Sequence, residues 1–236
     1  GFNILVKNET EVLENMLKSL SPCWDVFEQK ICGWTGDCEE TRAILEKYGM
    51  TIVPVVWQDD HGLARRDAYA HATTELVCWF DADDTLTHAE DFPSIVAQAF
   101  SDPQVGSFWL DYLYRFNAQG LCVMKMSRER VVKRTAFKWV GAMHENLLCD
   151  GMWQKPSFDK RVEAMQVIHH TDEAHLAISG QRCLDIAKKQ LKKEEAQGAI
   201  DPRSVFDYAR ALTSVGDTEN ALKVFENYIA VSGWDD

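Results

Sequence analysis

Long apolar runs, paired cysteines and clustered basic residues are all missing from this sequence, and each absence removes a class of protein. No stretch approaches the roughly 20 consecutive apolar residues of a membrane-spanning helix, and no charged segment followed by an apolar one opens the chain as a signal peptide would. A protein without a transmembrane segment, cytoplasmic in location, is expected. The seven cysteines form an odd set with no CxxC pair, so neither a disulfide framework nor a zinc ribbon is indicated, and they read as reduced thiols. Lys and Arg number 25 against 37 Asp and Glu, and they are scattered. Nucleic-acid recognition rests on clustered cations, so a formal charge of -12 argues against nucleic acid as a partner. An anionic ligand would need local help from a metal ion or from selected cations.

Apolar residues make up 46% of the 236, enough for a core, and they follow two periods. "FNILV" is a strand-like run that starts at Phe2, as if an earlier start had been trimmed, and "ETEVLENMLKSL" places Val12, Leu13, Met16, Leu17 and Leu20 on one helical face. After the less regular "CWDVFEQKICGWTGD", the segment "CEETRAILEKYG" has acids in its first turn, Ile44, Leu45 and Tyr48 inward, and Gly49 as a C-cap. "TIVPVVW" reads as a strand whose Pro54 suits an edge, "GLARRDAYAHATTE" as a helix and "LVCWF" as a further strand. Strands alternating with helices of this size predict βαβ units in an α/β layer sandwich. Next, the helix "DFPSIVAQAF" precedes two strands, "VGSFWLDYLYRF" and "LCVMKMSR", joined around "NAQG" as a hairpin. An aromatic, loop-like "FKWVGAMHENLLCDG" follows, and then the alternating "KRVEAMQVIHH", one more strand.

The stretch "LVCWFDADDTL" poses a chemical question, because a buried strand runs straight into Asp81, Asp83 and Asp84. Three carboxylates at a strand end repel one another and raise each other's pKa unless a cation or donor groups lie among them. Mg²⁺ and Mn²⁺, hard and oxygen-liking, suit such a cluster. Taken alone, the acids serve equally as a turn or as caps for the next helix.

The end of the chain turns helical. "SGQRCLDIAKKQLKKEEAQG" has Cys183, Leu184, Ala187 and Leu191 at helical spacing, and "DPRSVFDYARALTSVGDTENALKVFENYIAVSGW" is a helix, a turn at Gly216 and a second helix. This last segment resembles a tetratricopeptide repeat, with small Ala209 and Ala221 where paired helices pack closely. One unit cannot bury its own face, so it packs on the α/β domain or begins an array that continues past Asp236. An ordinary helical hairpin has the same architecture.

With "DADD" closing a mid-chain strand, the order of elements resembles a GT-A glycosyltransferase of family 2, of the type that carries C-terminal tetratricopeptide repeats. "VKNE" (6–9) matches the opening block, "WQDDHGLARRDAYAHAT" an acid-rich loop with an Arg-containing helix, "FDADD" the metal motif, and "WVGAMHE" (139–145) a late Trp-x-Gly-x-x-His-Glu block. "VIHHTD" matches a strand ending in His, and "VSGWDD" the close of a repeat. The resemblance implies an α/β GT-A domain over residues 1–175, a Rossmann-like mixed sheet between helices, followed by an all-α tetratricopeptide-like region over 176–236. One departure stands out: an Asp that contacts the nucleotide base in the family is here Trp34, in "GWTGD".

The implied activity is metal-dependent, inverting transfer of a sugar from a nucleotide-diphosphate donor, UDP-linked in preference, to an acceptor that could be a protein or peptide. Mn²⁺ or Mg²⁺ would neutralise the departing diphosphate. Asp83 is the first choice as metal ligand, with His170 narrowly preferred to His169 as its partner, since strand neighbours point to opposite faces. Lys7, Asn8, Glu9, Trp34, Arg65, Asp81, Ala82, Trp139 and His144 are the expected donor-binding residues, Trp139 as an apolar platform and Asp84 as a helix cap. Glu145 is the expected catalytic base and Asp111 the second candidate. The missing base-contact Asp keeps an alternative open, a catalytically weakened GT-A domain that binds a nucleotide sugar or a protein. A nucleotidyltransferase would want a Gly-rich phosphate loop where this chain has "VKNETE".

Overall fold

A computed structural model describes residues 1–149, 159–170 and 173–232. In chain order the elements are β1 (Phe2–Val6), α1 (Thr10–Leu20), β2 (Lys30–Trp34), α2 (Glu39–Lys47), β3 (Thr51–Pro54), α3 (His61–Tyr69), β4 (Leu76–Trp79), β5 (Asp84–Leu86), α4 (Phe92–Phe100), β6 (Ser107–Phe116), β7 (Cys122–Lys133), β8 (Phe137–Val140), β9 (Asn146–Cys149), β10 (Asp159–His169), α5 (Glu173–Gln197), α6 (Pro202–Ser214) and α7 (Thr218–Ser232). Two compact units result. The first comprises 1–58, 63–140 and 146–170; the second comprises 59–62, 141–145 and 171–236.

The first unit is built on an eight-stranded mixed sheet, in the order β3-β2-β1-β4-β7-β6-β10-β5. β1 to β4 are parallel where they pair, β7 is antiparallel to both β4 and β6, and β10 is parallel to β6 and antiparallel to β5. The apolar runs of β1 and β4 are buried because both strands are interior, while Pro54 lies on β3 at an edge, where its missing N–H costs no ladder bond. Leu13, Met16, Leu17 and Leu20 of α1 are fully buried and pack with Phe2, Ile4 and Phe80 in the main core. Gly49 has φ +69° just past α2, as a glycine C-cap does.

Three local expectations need correction. The irregular "CWDVFEQKICGWTGD" contains a regular strand, β2, whose short apolar core is interrupted by Gly33 and flanked by polar residues. The aromatic "FKWVGAMHENLLC" is not a loop throughout: β8 and β9 pair as an antiparallel ribbon, Phe137 opposite Cys149 and Val140 opposite Asn146. Asp84 opens β5 with its side chain fully buried, and so does not cap α4, which begins at Phe92.

In the second unit α5, α6 and α7 are consecutive helices. Ala209 and Ala221 are buried, and Gly216 has φ +82° in the turn between α6 and α7, the left-handed region that favours glycine. The "GWDD" part of the block at the end of the chain lies outside the described residues.

Candidate active site

The carboxyl ends of β1, β2, β4, β6 and β10 share one edge of the large sheet, because the reversed β7 separates two sets of strands that run the same way. Ligands in open α/β sheets bind at that edge. It carries Lys7 to Glu9, Trp34 to Asp37, Asp81 to Asp84, Tyr114 and His169.

The acidic loop is closed on itself. The amide of Asp84 donates to the carbonyl of Asp81 (3.1 Å), and the amide of Asp81 donates to Asp84 Oδ2 (3.0 Å). Asp84 is thus turned inward, where Arg130 of β7 meets it, Nη2 3.0 Å from Oδ2, with both side chains at 0% exposure. The Arg130 guanidinium lies 4.2 Å from the Trp79 ring, 4.6 Å from Tyr112 and 5.3 Å from Phe80. Its nitrogens make no hydrogen bond within the described residues, so its hold on Asp84 is ionic.

Asp81 is half-buried and paired with Arg65 of α3. Arg65 is itself buried, 5.1 Å from the ring of Trp79 and 4.8 Å from that of Trp139. Burial pushes the Asp81 pKa up, but Arg65, Arg130 and His169 outweigh it and bring the pKa down to about 2. Asp81 is therefore an anion at any physiological pH. Ala82, between the acids, is 7% exposed.

His169 and Asp83 form the outer part of the cluster. Nδ1 of His169 is 3.4 Å from Asp83 Oδ1 and 3.4 Å from Asp84 Oδ1, and its ring stacks on Tyr114 with centroids 4.9 Å apart. Burial opposes its charge, yet the two carboxylates raise its pKa to about 10. Asp83, Asp84 and His169 offer ligand atoms that all lie within 4.8 Å of one another. Among the described residues, Asp84 Oδ1 and His169 Nδ1 are buried without a hydrogen-bond partner, and a set of carboxylate oxygens and one imidazole nitrogen suits Mn²⁺ or Mg²⁺. These residues fit a divalent ion, which would replace the imidazolium proton. His170 takes another course: its amide donates to the Asp83 carbonyl (2.8 Å), and its exposed ring lies 2.7 Å from Thr85 Oγ1. Strand alternation separates the two histidines, and His169 is the one directed at the acids.

At the end of β1, Lys7 donates its amide to Glu9 Oε2 (2.7 Å), and Asn8 Oδ1 accepts from the amides of Asp37 (3.0 Å) and Cys38 (3.1 Å). A Cβ at Gly36 would come within 2.0 Å of the Lys7 carbonyl oxygen, so the two loops approach this closely only because residue 36 is glycine. Trp34 ends β2 opposite Val6, half-buried and packed against the main core. Trp139, expected as an open platform, is 1% exposed and packs edge-on to Trp79 at 4.9 Å, so it supports Arg65 from within and offers no face to a ligand. Asp111 lies in β6 with Lys125 Nζ 3.0 Å from its Oδ2.

His144 and Glu145 belong to the second unit. His144 is left-handed, φ +50°, and the loop 141–145 is tied to the acid-rich loop by His61 N–H to Ala142 O (2.9 Å) and Gly62 N–H to Gly141 O (3.0 Å). The pairing of these two sequence blocks is visible only in three dimensions. Sequence reasoning missed Arg130, Tyr112, Tyr114 and Thr85. Arg130 alternates with polar neighbours in "SRERVVKR", and nothing in that pattern marks it as the buried one.

Residues 4–121, half of the chain, match the family model described as glycosyl transferase family 2. A TPR repeat-containing protein of Synechococcus elongatus is 32% identical over 83 residues, 35% of this chain and 20% of that protein, so the chain spans about a fifth of the curated relative it matches. Glucosyl-3-phosphoglycerate synthase from Mycobacterium tuberculosis, solved with Mn²⁺, uridine diphosphate and phosphoglyceric acid, has TM-score 0.54 at 16% identity, over 85% of this chain and 78% of that one. The mannosyltransferase PcManGT from Pyrobaculum calidifontis, solved with GDP-Man and Mn²⁺, has TM-score 0.50 at 12% identity, over 99% and 80%. These structures share the fold with a mixed α/β sheet. The chain belongs to glycosyltransferase family 2.

Proposed function

We propose that the protein transfers a sugar, with inversion, from a nucleotide-diphosphate donor, UDP-linked in preference to GDP-linked, and that it requires Mn²⁺ or Mg²⁺. The observation that carries this reading is the convergence of Asp83 and His169 beside the Arg65-held Asp81 on the ligand-binding edge of the sheet. The Mn²⁺ and nucleotide in the mycobacterial and archaeal structures support it. Asp83 and His169 would hold the ion, with His169 taking the place narrowly expected for His170. The ion supplies charge neutralisation at the departing diphosphate. Asp81, kept anionic by Arg65, would accept hydrogen bonds from the donor's ribose. Trp34, Lys7, Asn8 and Glu9 would line the base and its neighbourhood, Trp34 by stacking.

Glu145 would take the proton of the acceptor hydroxyl as its oxygen bonds to the anomeric carbon and the bond from that carbon to the diphosphate breaks; Asp111 is the second candidate. Residues 1–175 would hold this chemistry together, and the tetratricopeptide-like helices of 176–236 would present a polypeptide acceptor. The test is calorimetry with Mn²⁺ and a panel of nucleotide sugars, followed by turnover. The parent should bind a donor and Asp83→Ala should not. Glu145→Gln should bind both ion and donor while turnover falls about 10²- to 10⁴-fold. Absence of binding heat from every donor, with Asp83→Ala indistinguishable from the parent, overturns the reading; full turnover in Glu145→Gln with loss in Asp111→Asn moves the base to Asp111.

A further inference from the structure

The hairpin of β6 and β7 carries a surface that the transfer reaction does not use. β10 pairs with β6 only as far as Leu113, and β4 pairs with β7 only from Val131 to Lys133. Beyond those points the hairpin is a two-stranded arm, and among the described residues no strand covers the outer edge of β7 from Cys122 to Arg130. Isolated two-stranded ribbons are marginal in water, so this one is held by its rooted end.

Its tip is apolar. Of the twelve exposed large hydrophobic residues among those described, five fall within 116–126: Phe116, Leu121, Val123, Met124 and Met126. Leu121 is 65% exposed and Val123 58%. Such a concentration differs from the single exposed apolar residues scattered elsewhere. The charge is distinctive too. From Tyr112 to Arg128 the sequence has Arg115, Lys125 and Arg128 and no Asp or Glu, on a chain of formal charge -12. Arg115 stands opposite Met124, and Lys125, paired with Asp111 at the root of the arm, stays exposed.

From this combination we infer that the β6–β7 arm docks on the surface of an anionic lipid bilayer, with Phe116, Leu121, Val123 and Met124 entering the interface and Arg115 and Lys125 meeting the headgroups. Apolar side chains next to cations, without acids between them, match a layer that is apolar below and anionic above. A second copy of the chain fits less well, since two tips would bring like charges together and Lys125 on an open edge opposes strand pairing. Nucleic acid fits less well again, since four of the five apolar side chains give no stacking surface. The arm rises from the same edge of the sheet as Asp83 and His169, so docking would bring that edge to the membrane. The inference is independent of the donor and the metal.

Vesicle flotation of the full chain tests it, with vesicles of phosphatidylcholine alone and of phosphatidylcholine with an equal share of phosphatidylglycerol. The parent should float with the second and not the first, and less so as salt rises through physiological strength. Leu121→Ser with Val123→Ser should lower the partition constant ~100-fold, because each large apolar side chain withdrawn from an interface is worth roughly a power of ten. Both positions are exposed, so the melting temperature should not change. Arg115→Gln should weaken flotation and flatten its salt dependence. Failure of the parent to float at low salt overturns the inference, as does flotation that the serine substitutions leave intact. A concentration-dependent dimer in sedimentation velocity that the same substitutions abolish, without flotation, assigns the arm to a second copy and equally overturns it.

Discussion

Arg130 is where a single residue does most to shape the site without touching a ligand. A guanidinium with five donors is costly to bury, and this one faces three rings and the Asp84 carboxylate. It meets Asp84 Oδ2 at 3.0 Å inside the sheet, and Asp84 in turn accepts from the Asp81 amide, so the loop that carries Asp81 and Asp83 is set by a residue about fifty positions away. Removing one partner of a buried pair leaves the other charge uncompensated, whereas removing both does not. Arg130→Met alone should therefore lower the unfolding free energy by about 3–5 kcal/mol in urea denaturation. Adding Asp84→Asn should restore more than half of it, because Asn keeps an oxygen for the Asp81 amide without needing a countercharge. If the double variant is as unstable as Arg130→Met, the stacking of Arg130 matters and its charge does not. The acids themselves were legible as a cluster at a strand end. Their division of labour was not, because it depends on which one the buried cation meets.

At the scale of elements, the loops after β1 and β2 lock together through Gly36 and Asn8. A new side chain at residue 36 would meet the Lys7 carbonyl and Asn8 Oδ1, a backbone group and a side-chain oxygen held by two amides, and neither yields easily. Gly36→Ala should cost about 1–3 kcal/mol by overpacking and should weaken donor binding in calorimetry while leaving Mn²⁺ affinity near the parent value, since Asp83 lies in the turn before β5 and His169 at the end of β10. Equal loss of both would mean that the change spreads through the sheet. Elements with a clear period were readable in advance: α1 from its apolar face, and the hairpin from its alternating strands about "NAQG". β2, β8 and β9 were not, because strands of four or five residues with mixed composition carry too little pattern, and their pairing to distant partners supplies what propensity does not.

At the scale of the whole molecule, the division into two units separates the acidic cluster from the loop that holds His144 and Glu145. The second unit depends on close helix packing at Ala209, which is 0% exposed. Ala209→Leu should destabilise that unit by about 1–3 kcal/mol. Helical circular dichroism should then melt earlier, while fluorescence from Trp79 and Trp139 in the sheet unit and Mn²⁺ binding should follow the parent. Coincident loss of both signals would show that the units unfold as one.

By itself the sequence determined the class of fold and the kinds of group gathered at one edge of the sheet, because strand and helix periods are local and a strand ending in three acids is a local signal. Only the tertiary structure decided that the ring of His169 and not that of His170 faces the Asp83 carboxylate, that Asp84 faces inward to Arg130, that Trp139 backs Arg65 instead of lying open, and that the loop with Glu145 pairs with the one at Gly62. Each of these turns on which side of a strand faces which neighbour across the sheet. That is a matter of register and of long-range pairing, and no stretch of sequence contains it.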